Sequence, residues 1–138
     1  MKKLSKNKGF TMIELMIALV IIGIIASIAF PNYTQYVTQA KRGDAKTALL
    51  NALLKQEKYR ANHTSYGSLS DADIASNSPN SYYKIAINGT PSSTSFTVTA
   101  TPATTDSDCA IFVINQSGKV LSGTYDSKTA AGVNCWNR

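Results

Sequence analysis

One apolar run constrains the fold of this chain more than any other feature of its 138 residues. From Phe10 to Phe30 every residue is uncharged except Glu14. A helix over this run would be about 30 Å long, which matches the thickness of the hydrocarbon core of a bilayer. The run is therefore predicted to form a helix that can span a membrane.

Lysines are concentrated ahead of the apolar run. The net charge is +6, but four lysines lie within residues 1–9, and the rest of the chain carries ten Lys and Arg against eight Asp and Glu. Basic residues beside an apolar span tend to stay in the cytoplasm, so the residues after Pro31 are predicted to lie on the outer side. Because the basic character belongs mainly to the tail, the overall charge does not indicate nucleic-acid binding.

Two cysteines, Cys109 and Cys135, lie on the predicted outer side. In an oxidising compartment we expect them to pair, closing a loop of 25 intervening residues. The chain-entropy estimate for such a loop is roughly 3.5 kcal/mol of stabilisation. The alternative is two unrelated reduced thiols.

After Pro31 the apolar and small residues recur at intervals of three and four, which defines one face of a helix. The helix is predicted to run from Phe10 to about Ala61, with its first half in a membrane or filament core and its second half covered by a sheet. The apolar face comprises Tyr33, Tyr36, Val37, Ala40, Ala45, Ala48, Leu49, Ala52, Leu53 and Tyr59. The opposite face is interpreted as solvated rather than as a nucleic-acid stripe. Its basic residues are Lys41, Arg42, Lys46, Lys55 and Lys58.

The composition changes after the helix. Residues 62–81 are rich in Asn, Ser, Gly and Asp, which predicts a connecting loop. Short runs with β-strand character follow, separated by turn residues. These runs are Tyr82 to Asn88, Ser95 to Pro102, Cys109 to Asn115 and Lys119 to Tyr125, with a tight hairpin at Gln116 to Gly118. The prediction is an α+β fold, in which one long N-terminal helix packs against a roughly four-stranded antiparallel sheet and a disulfide closes the C-terminal loop.

The junction between Gly9 and Phe10 resembles the leader cleavage site of bacterial type IV prepilins. Their leader ends in Gly, the next residue is usually Phe, and a glutamate is the fifth residue after the glycine. This chain fits the pattern GFTxIELMIxxxIIGIIAxIAxP almost residue for residue. The resemblance implies cleavage between Gly9 and Phe10 by a membrane aspartic peptidase on the cytoplasmic side, followed by methylation of the new amine of Phe10.

The resemblance also suggests a role for the acid in the apolar run. An ionised carboxylate at membrane depth costs on the order of 3 kcal/mol, so Glu14 is expected to be paired or functional. Cleavage creates a cationic amine at Phe10, and Glu14 of one subunit can meet the Phe10 amine of its neighbour, which would favour docking into a filament. The alternative is an acid that is merely tolerated near the membrane interface.

Gly23 and Pro31 weaken the apolar helix. Gly costs about 1 kcal/mol relative to Ala in a helix interior, and Pro removes a backbone hydrogen bond. An ordinary kink would account for both residues. In filaments of the resembled class the segment between such residues can unwind, which is the second interpretation.

The remainder of the chain resembles, more loosely, the PilE-type minor pilins. The matching stretches, in order, are QEKYRANHTSY from Gln56, FTVTATP from Phe96, CAIFVINQSGKV from Cys109 and CW from Cys135. Ala110 departs from the pattern, in which Gly is common. The resemblance implies a cleaved leader over residues 1–9, a transmembrane and polymerisation helix over 10–31, and a globular pilin domain over 32–138 that includes the second half of the helix.

Function follows from the same resemblance as an expectation. The chain is interpreted as a structural subunit of a type IV pilus, specifically a minor pilin that enters the filament or primes its assembly, in adhesion, twitching motility or DNA uptake. Expected partners are other pilin subunits, the prepilin peptidase and N-methyltransferase, the inner-membrane assembly platform and a tip adhesin. The expected location is the inner membrane, with a single span and a periplasmic C-terminal domain, and then the extracellular pilus.

Two alternatives stay open. Major pseudopilins of type II secretion systems often hold calcium in a C-terminal loop, but the loop between the two cysteines here carries a single acid, Asp126. A competence pilin would capture DNA through Lys and Arg of the globular domain, which a charge of +2 outside the leader does not favour.

An enzyme is the class least supported by the sequence. There is no paired-histidine, Cys-x-x-Cys, phosphate-loop or nucleophile-elbow motif, so we expect no catalytic residue, metal or cofactor. Asp71 with Asp73, and Asp106 with Asp108, could supply metal oxygens. Short Asp pairs in Ser-rich and Thr-rich turns usually cap those turns instead.

Overall fold

A single long helix opens the fold. The computed structural model describes residues 9–137, and its first element, α1, spans Met12–Arg60. The prediction of a helix from Phe10 to about Ala61 is therefore confirmed, with small differences at each end. Residues 1–8, which make up most of the predicted leader, lie outside the described residues.

The chain divides into two compact units, Met1–Val37 and Thr38–Arg138. In the first unit, every large apolar side chain from Phe10 to Phe30 is more than half exposed. The helix is long and apolar enough to cross a membrane, judged by length and composition. Its apolar surface is thus left for an environment other than this chain's own core.

The helix continues through both of its predicted weak points, Gly23 and Pro31. Polar side chains near the proline bond to helix carbonyls: Ser27 Oγ donates to the carbonyl of Ile24 at 2.7 Å, and Thr34 Oγ1 donates to that of Pro31 at 2.9 Å. The carbonyl that loses its helical donor to Pro31 is that of Ser27, and these two bonds go to neighbouring carbonyls instead.

The second unit, called the head below, contains a four-stranded antiparallel sheet in the order β1-β2-β3-β4. Its register is fixed by pairs such as Ile85 with Ala100 and Val98 with Ile114. The strands are β1 Tyr83–Ile87, β2 Thr97–Pro102, β3 Phe112–Asn115 and β4 Gly118–Val120. Alternate residues of the sheet pack against Ala45, Leu49 and Ala52 of α1 to form the main core. The α+β architecture is confirmed.

The predicted hairpin between the third and fourth strands is confirmed. Asn115 pairs with Gly118 across a turn made by Gln116 and Ser117, and Asn115 Oδ1 accepts the N–H of Ser117 at 2.8 Å. Gly118 has a φ of 104°, a conformation that glycine adopts without steric cost. The glycine therefore lets the chain enter β4 directly from the turn.

The prediction of one strand from Lys119 to Tyr125 is wrong. The chain leaves the main sheet after Val120, and a separate two-stranded sheet pairs β5, Thr124–Tyr125, with β6, Lys128–Thr129. Asp126 and Ser127 between these strands have φ values of 50° and 62°. Positive φ at both central residues is typical of a type I′ turn. The Asp-Ser pair lacks the glycine that usually indicates such a turn in a sequence.

A second, smaller core lies on the other side of the sheet. Ile111 and Val113 pack there with Ala130, and Val120 and Tyr125 complete the cluster. The β5-β6 hairpin thus covers part of the sheet surface that α1 does not reach.

A disulfide joins Cys109 to Cys135, with an S–S distance of 2.03 Å and a Cα–Cα distance of 6.0 Å, so the predicted pairing is confirmed. Cys135 lies in a short helix, α2, Val133–Asn137, that was not predicted. The next residue, Trp136, is buried and meets Phe112 edge to face at a ring-centroid distance of 5.4 Å. The disulfide therefore ties the C-terminal segment onto the main core.

Candidate functional site

The predicted cleavage junction is open to the surroundings. Gly9 and Phe10 are both exposed and precede the first residue of α1. A Cβ placed on Gly9 would meet no atom within 4 Å. Nothing within the described residues requires glycine at this position.

Glu14 takes part in a reciprocal cap at the start of α1. The N–H of Glu14 donates to Thr11 Oγ1 at 3.3 Å, and the N–H of Thr11 donates to Glu14 Oε2 at 3.4 Å. This is a capping box, in which two backbone donors at a helix start are satisfied by side chains. The sequence signal, Thr-x-x-Glu, was present and was not used in the prediction. The carboxylate is thus held at the helix start and remains exposed.

The prediction that the basic face of α1 is solvated is wrong for Arg42. Its side chain is 9% exposed and forms a fork with Asp106, since Nε donates to Oδ2 and Nη2 donates to Oδ1, each at 2.8 Å. A third contact joins Nη2 to Asp108 Oδ2 at 3.5 Å. The hydrogen bond from Arg42 is the main reason that the pKa of Asp106 is held below its ordinary value.

The same ion pair organises the turn that leads into the disulfide. Asp106 Oδ1 also accepts the N–H groups of Asp108 and Cys109, both at 3.2 Å. The turn-capping interpretation of Asp106 is therefore confirmed, with an added long-range partner on α1. Sequence reasoning missed this partner because it lies 64 positions away.

Two further buried polar groups of α1 hold the loop after the helix. Asp44 accepts hydrogen bonds from Ser78 Oγ and from Asn80, whose Nδ2 lies 2.9 Å from Oδ1. Gln56 binds both backbone groups of Gly67, donating to its carbonyl at 2.7 Å and accepting from its N–H at 3.0 Å. Both contacts tie segments of residues 62–81 to the helix.

The carboxylates of the head are largely used within the head. Asp71 accepts from Ser68, Asp73 pairs with Lys55 at 2.9 Å, and Asp126 accepts from Asn88. Among the described residues, the lysines of the head without a carboxylate within 4.0 Å are Lys41, Lys58, Lys84, Lys119 and Lys128. The head therefore presents several lysines that no carboxylate pairs directly.

Two of these lysines stand over aromatic rings. Lys41 Nζ lies 5.4 Å from the ring centroid of Tyr82, and Lys119 Nζ lies 5.3 Å from that of Trp136. Burial lowers the pKa of Lys46, and the nearby charges of Lys119 and Arg42 lower it further. Lys119 thus places a positive charge over Trp136, whose buried Nε1 has no hydrogen-bond partner within residues 9–137.

No cluster of three or more metal-ligating side chains occurs in the part of the chain that the structure describes. The acids singled out in the sequence bond to backbone groups, to hydroxyls or to basic side chains instead. The arrangement can present an apolar helix and a basic, polar surface.

Comparisons with known proteins agree with this architecture. Residues 4–30 match the prokaryotic N-terminal methylation motif. An N-terminal apolar helix with this motif, continued into a head built on an antiparallel sheet, defines a type IV pilin. The chain belongs to the family described as type IV minor pilin ComP, DNA uptake sequence receptor, which matches residues 31–113.

Curated relatives are also pilins. The chain is 44% identical over 54 residues to the type IV major pilin protein PilA of Myxococcus xanthus, covering 39% of this chain and 24% of that protein. It is 39% identical over 75 residues to a fimbrial protein of Neisseria meningitidis, with coverages of 49% and 44%. It is 35% identical over 89 residues to the type IV major fimbrial protein FimA of Dichelobacter nodosus, covering 63% of this chain and 56% of that protein. The chain spans about half or less of these relatives' lengths.

Proposed function

We propose that this protein is a structural subunit of a type IV pilus, specifically a minor pilin that enters the filament or primes its assembly. The observation that carries the proposal is the exposed apolar half of α1, where every large apolar side chain from Phe10 to Phe30 is more than half exposed. A surface of this kind is stable only in lipid or against other apolar helices. Membership of a minor pilin family supports contact with other apolar helices once the subunit is assembled.

The life cycle proposed for the subunit has two stages. It first spans the inner membrane once, with its head in the periplasm, and a prepilin peptidase and N-methyltransferase removes residues 1–9 and methylates Phe10. It then passes through an inner-membrane assembly platform into the filament, where it contacts other pilins and a tip adhesin. The methylation-motif match over residues 4–30 supports the processing step. A non-enzymatic role is consistent with a structural family.

Residues 10–31 are proposed as the polymerisation helix and residues 32–138 as the globular domain. In the assembled filament, the segment between Gly23 and Pro31 is proposed to be the place where α1 unwinds. The glycine lacks a side chain to pack, and the proline cannot donate a backbone bond, so this stretch loses least on unwinding.

Glu14 is proposed as the docking residue. The capping box holds its carboxylate at the start of α1, four positions from the amine that cleavage creates at Phe10. A neighbour's Phe10 amine would compensate a charge that is costly in lipid. The acid thereby penalises the lone subunit and stabilises the docked one.

The experiment compares membrane and sheared-filament fractions of wild type and Glu14→Val at matched expression. We expect a normal membrane level and a depleted filament signal, because the variant loses the docking charge but gains an apolar side chain. Thr11→Ala is the matched control, since it removes the other half of the capping box and keeps the acid. Equal depletion in Thr11→Ala would assign the effect to helix capping, and unchanged incorporation of Glu14→Val would remove the docking role.

DNA capture is a second candidate function. The matched family is described as a DNA uptake sequence receptor. Among the described residues the head offers lysines without a carboxylate within 4.0 Å, Lys41 and Lys119 among them, and Lys41 lies over the exposed aromatic ring of Tyr82. Basic side chains beside aromatic rings suit a phosphate backbone and its bases. The matched family and the relatives described above are pilins or fimbrial proteins, which favours a pilin over a secretion pseudopilin.

A salt series of DNA gel shifts on the full chain in detergent would test this second function. Lys119→Ala should weaken binding and lower the slope of log K against log salt by about one. Lys58→Ala removes the same charge from the last turn of α1 and serves as the control. Equal losses in both variants would indicate unspecific attraction, and no binding by wild type would exclude the function.

A further inference from the structure

The loop after β1 begins with Asn88 and Gly89, the only Asn-Gly pair in the chain. Asn88 directly follows the last residue of β1, and its N–H donates to the carbonyl of Thr97 at 2.9 Å. The asparagine is thus held at the end of a strand, while the glycine begins an exposed loop. Asparagine is a chemically labile residue, and a glycine after it leaves the backbone nitrogen beside its side-chain amide unshielded.

The backbone nitrogen of Gly89 is accessible. The residue is exposed, and a Cβ built on it would meet no atom within 4 Å. Among residues 9–137 no acceptor takes the N–H of Gly89, so this N–H faces water and can lose its proton to hydroxide. The nitrogen is therefore neither crowded nor bonded within the described part of the head, which leaves it able to act as a nucleophile.

The side-chain amide of Asn88 joins two parts of the head. Its Nδ2 donates to Asp126 Oδ1 at 3.2 Å, although the two residues lie 38 positions apart. Asp126 and Ser127 form the β5-β6 turn with φ values of 50° and 62°, a conformation that is costly for residues other than glycine. The hydrogen bond from Asn88 thus helps to hold a strained turn against the loop after β1.

We propose that Asn88 is a site of spontaneous deamidation and that its product releases the β5-β6 hairpin. The backbone nitrogen of Gly89 attacks Cγ of Asn88, so a new C–N bond forms while the bond from Cγ to Nδ2 breaks. The proton of the Gly89 N–H passes to the solvent, and Nδ2 takes up a solvent proton and leaves as ammonia. Water then opens the cyclic imide at either carbonyl, which gives aspartate or isoaspartate. This modification goes beyond filament assembly and DNA capture.

The product reverses the contact with Asp126. An aspartate at position 88 has no N–H to donate, so two carboxylates meet where a donor and an acceptor met before. Like charges at this distance repel each other. Isoaspartate also adds a methylene group to the backbone beside the hydrogen bond to Thr97. Either product loosens the hairpin, which contributes Tyr125 to the second core.

Asn80 is a matched internal control. Its Nδ2 also donates to an aspartate, Asp44 Oδ1, at 2.9 Å. The next residue is Ser81, whose N–H donates to the carbonyl of Ser78 at 2.8 Å. Both asparagines therefore contact a carboxylate, whereas only Asn88 is followed by a glycine with an open nitrogen. We expect Asn80 to remain an amide while Asn88 reacts.

The test incubates the full chain in detergent micelles in neutral buffer and follows each asparagine by peptide mass spectrometry. Electron-transfer fragmentation separates aspartate from isoaspartate, and digestion in heavy-oxygen water marks any conversion that occurs during digestion. We expect Asn88 to convert, with isoaspartate among the products, and Asn80 to stay intact. Gly89→Ala should slow the conversion at least several-fold, because the added methyl group hinders attack on Cγ.

Hydrogen exchange at residues 121–131 measures the release of the hairpin. Asn88→Asp carries the charge of the product and should speed exchange there about tenfold, which is the typical effect of losing a hydrogen bond to a charged group. Asp126→Asn added to Asn88→Asp restores one donor and one acceptor in swapped positions, so exchange should return to the wild-type rate. The fluorescence of Trp136, the only tryptophan, checks that each variant is folded.

The modification site is overturned if Asn88 stays an amide or converts no faster than Asn80. Release of the hairpin is overturned if Asn88→Asp exchanges like wild type, or if the double variant does not restore slow exchange. None of these outcomes depends on filament assembly, so the deamidation site and the pilin function stand or fall separately.

Discussion

The fork between Arg42 and Asp106 gives the sharpest test of how the head is stabilised. Arg42→Met replaces the guanidinium with an apolar side chain of similar length and leaves the nearly buried Asp106 carboxylate without its main partner. Removing one member of a buried pair typically costs 3–5 kcal/mol. Asp106 keeps its two backbone N–H bonds, so we expect the lower end, about 3 kcal/mol. For a head of this size that corresponds to a loss of roughly 15 °C in Tm.

The dependence on pH gives this prediction a second signature. Arg42 lowers the pKa of Asp106 from an ordinary value of 3.8. A carboxylate with a lowered pKa stabilises the fold fully above its unfolded-state pKa and loses that contribution as the pH falls through its folded-state pKa. The stability gap between wild type and Arg42→Met should therefore be constant from neutral pH down to about 4 and should close below that.

Thermal unfolding followed by Trp136 fluorescence measures both quantities, because this buried residue reports on the head. Arg42→Lys keeps the charge without the fork, so its Tm should lie between those of wild type and Arg42→Met. Asp106→Asn added to Arg42→Met removes the unpaired charge and should recover part of the loss. The reasoning is refuted if Arg42→Met lowers the Tm by less than about 3 °C and its pH profile runs parallel to that of wild type. Arg42 would then behave as an exposed surface residue.

Other changes test separate features. Gly9→Val should leave the chain at precursor length and outside filaments although the fold has room for the side chain, and mass spectrometry that finds a mature chain starting at Phe10 would contradict the cleavage assignment. Cys135→Ser should cost about 3 kcal/mol and increase protease sensitivity of the head; normal resistance to limited proteolysis would count against a stabilising bridge. Gly67→Ala should cost about 1–3 kcal/mol, since its methyl group would lie 2.9 Å from Tyr59 Cε1, and an unchanged urea midpoint would show that the ring yields freely.

Sequence reasoning succeeded where the determining signal is local. The helix was predicted from intervals of three and four, and the β3-β4 turn from a glycine that follows two polar residues. At Glu14 a second local signal, the Thr-x-x-Glu cap, lies within the apolar run that predicts a membrane helix. The role of Glu14 in docking stays a prediction, since it concerns a neighbouring subunit.

Long-range contacts account for what was missed. Arg42 looked like a member of a solvated face because its neighbours along α1 are lysines, whereas its burial depends on a turn 64 positions later. Asp44 likewise finds its partners Ser78 and Asn80 more than 30 positions away. The β5-β6 hairpin was missed because its type I′ turn at Asp126 and Ser127 lacks the expected glycine.

The positions of the polar contacts along α1 have a mechanical consequence. Between Arg42 and Gln56 the helix packs small or aliphatic side chains, among them Ala45, Leu49 and Ala52, against the sheet. At one end Arg42 binds Asp106 in the turn before the disulfide, and about 21 Å along the axis Gln56 binds the backbone of Gly67. A pull along the helix must also break the contacts that Asp44 makes with Ser78 and Asn80, so tension is shared by several anchors along α1 instead of peeling the sheet away strand by strand.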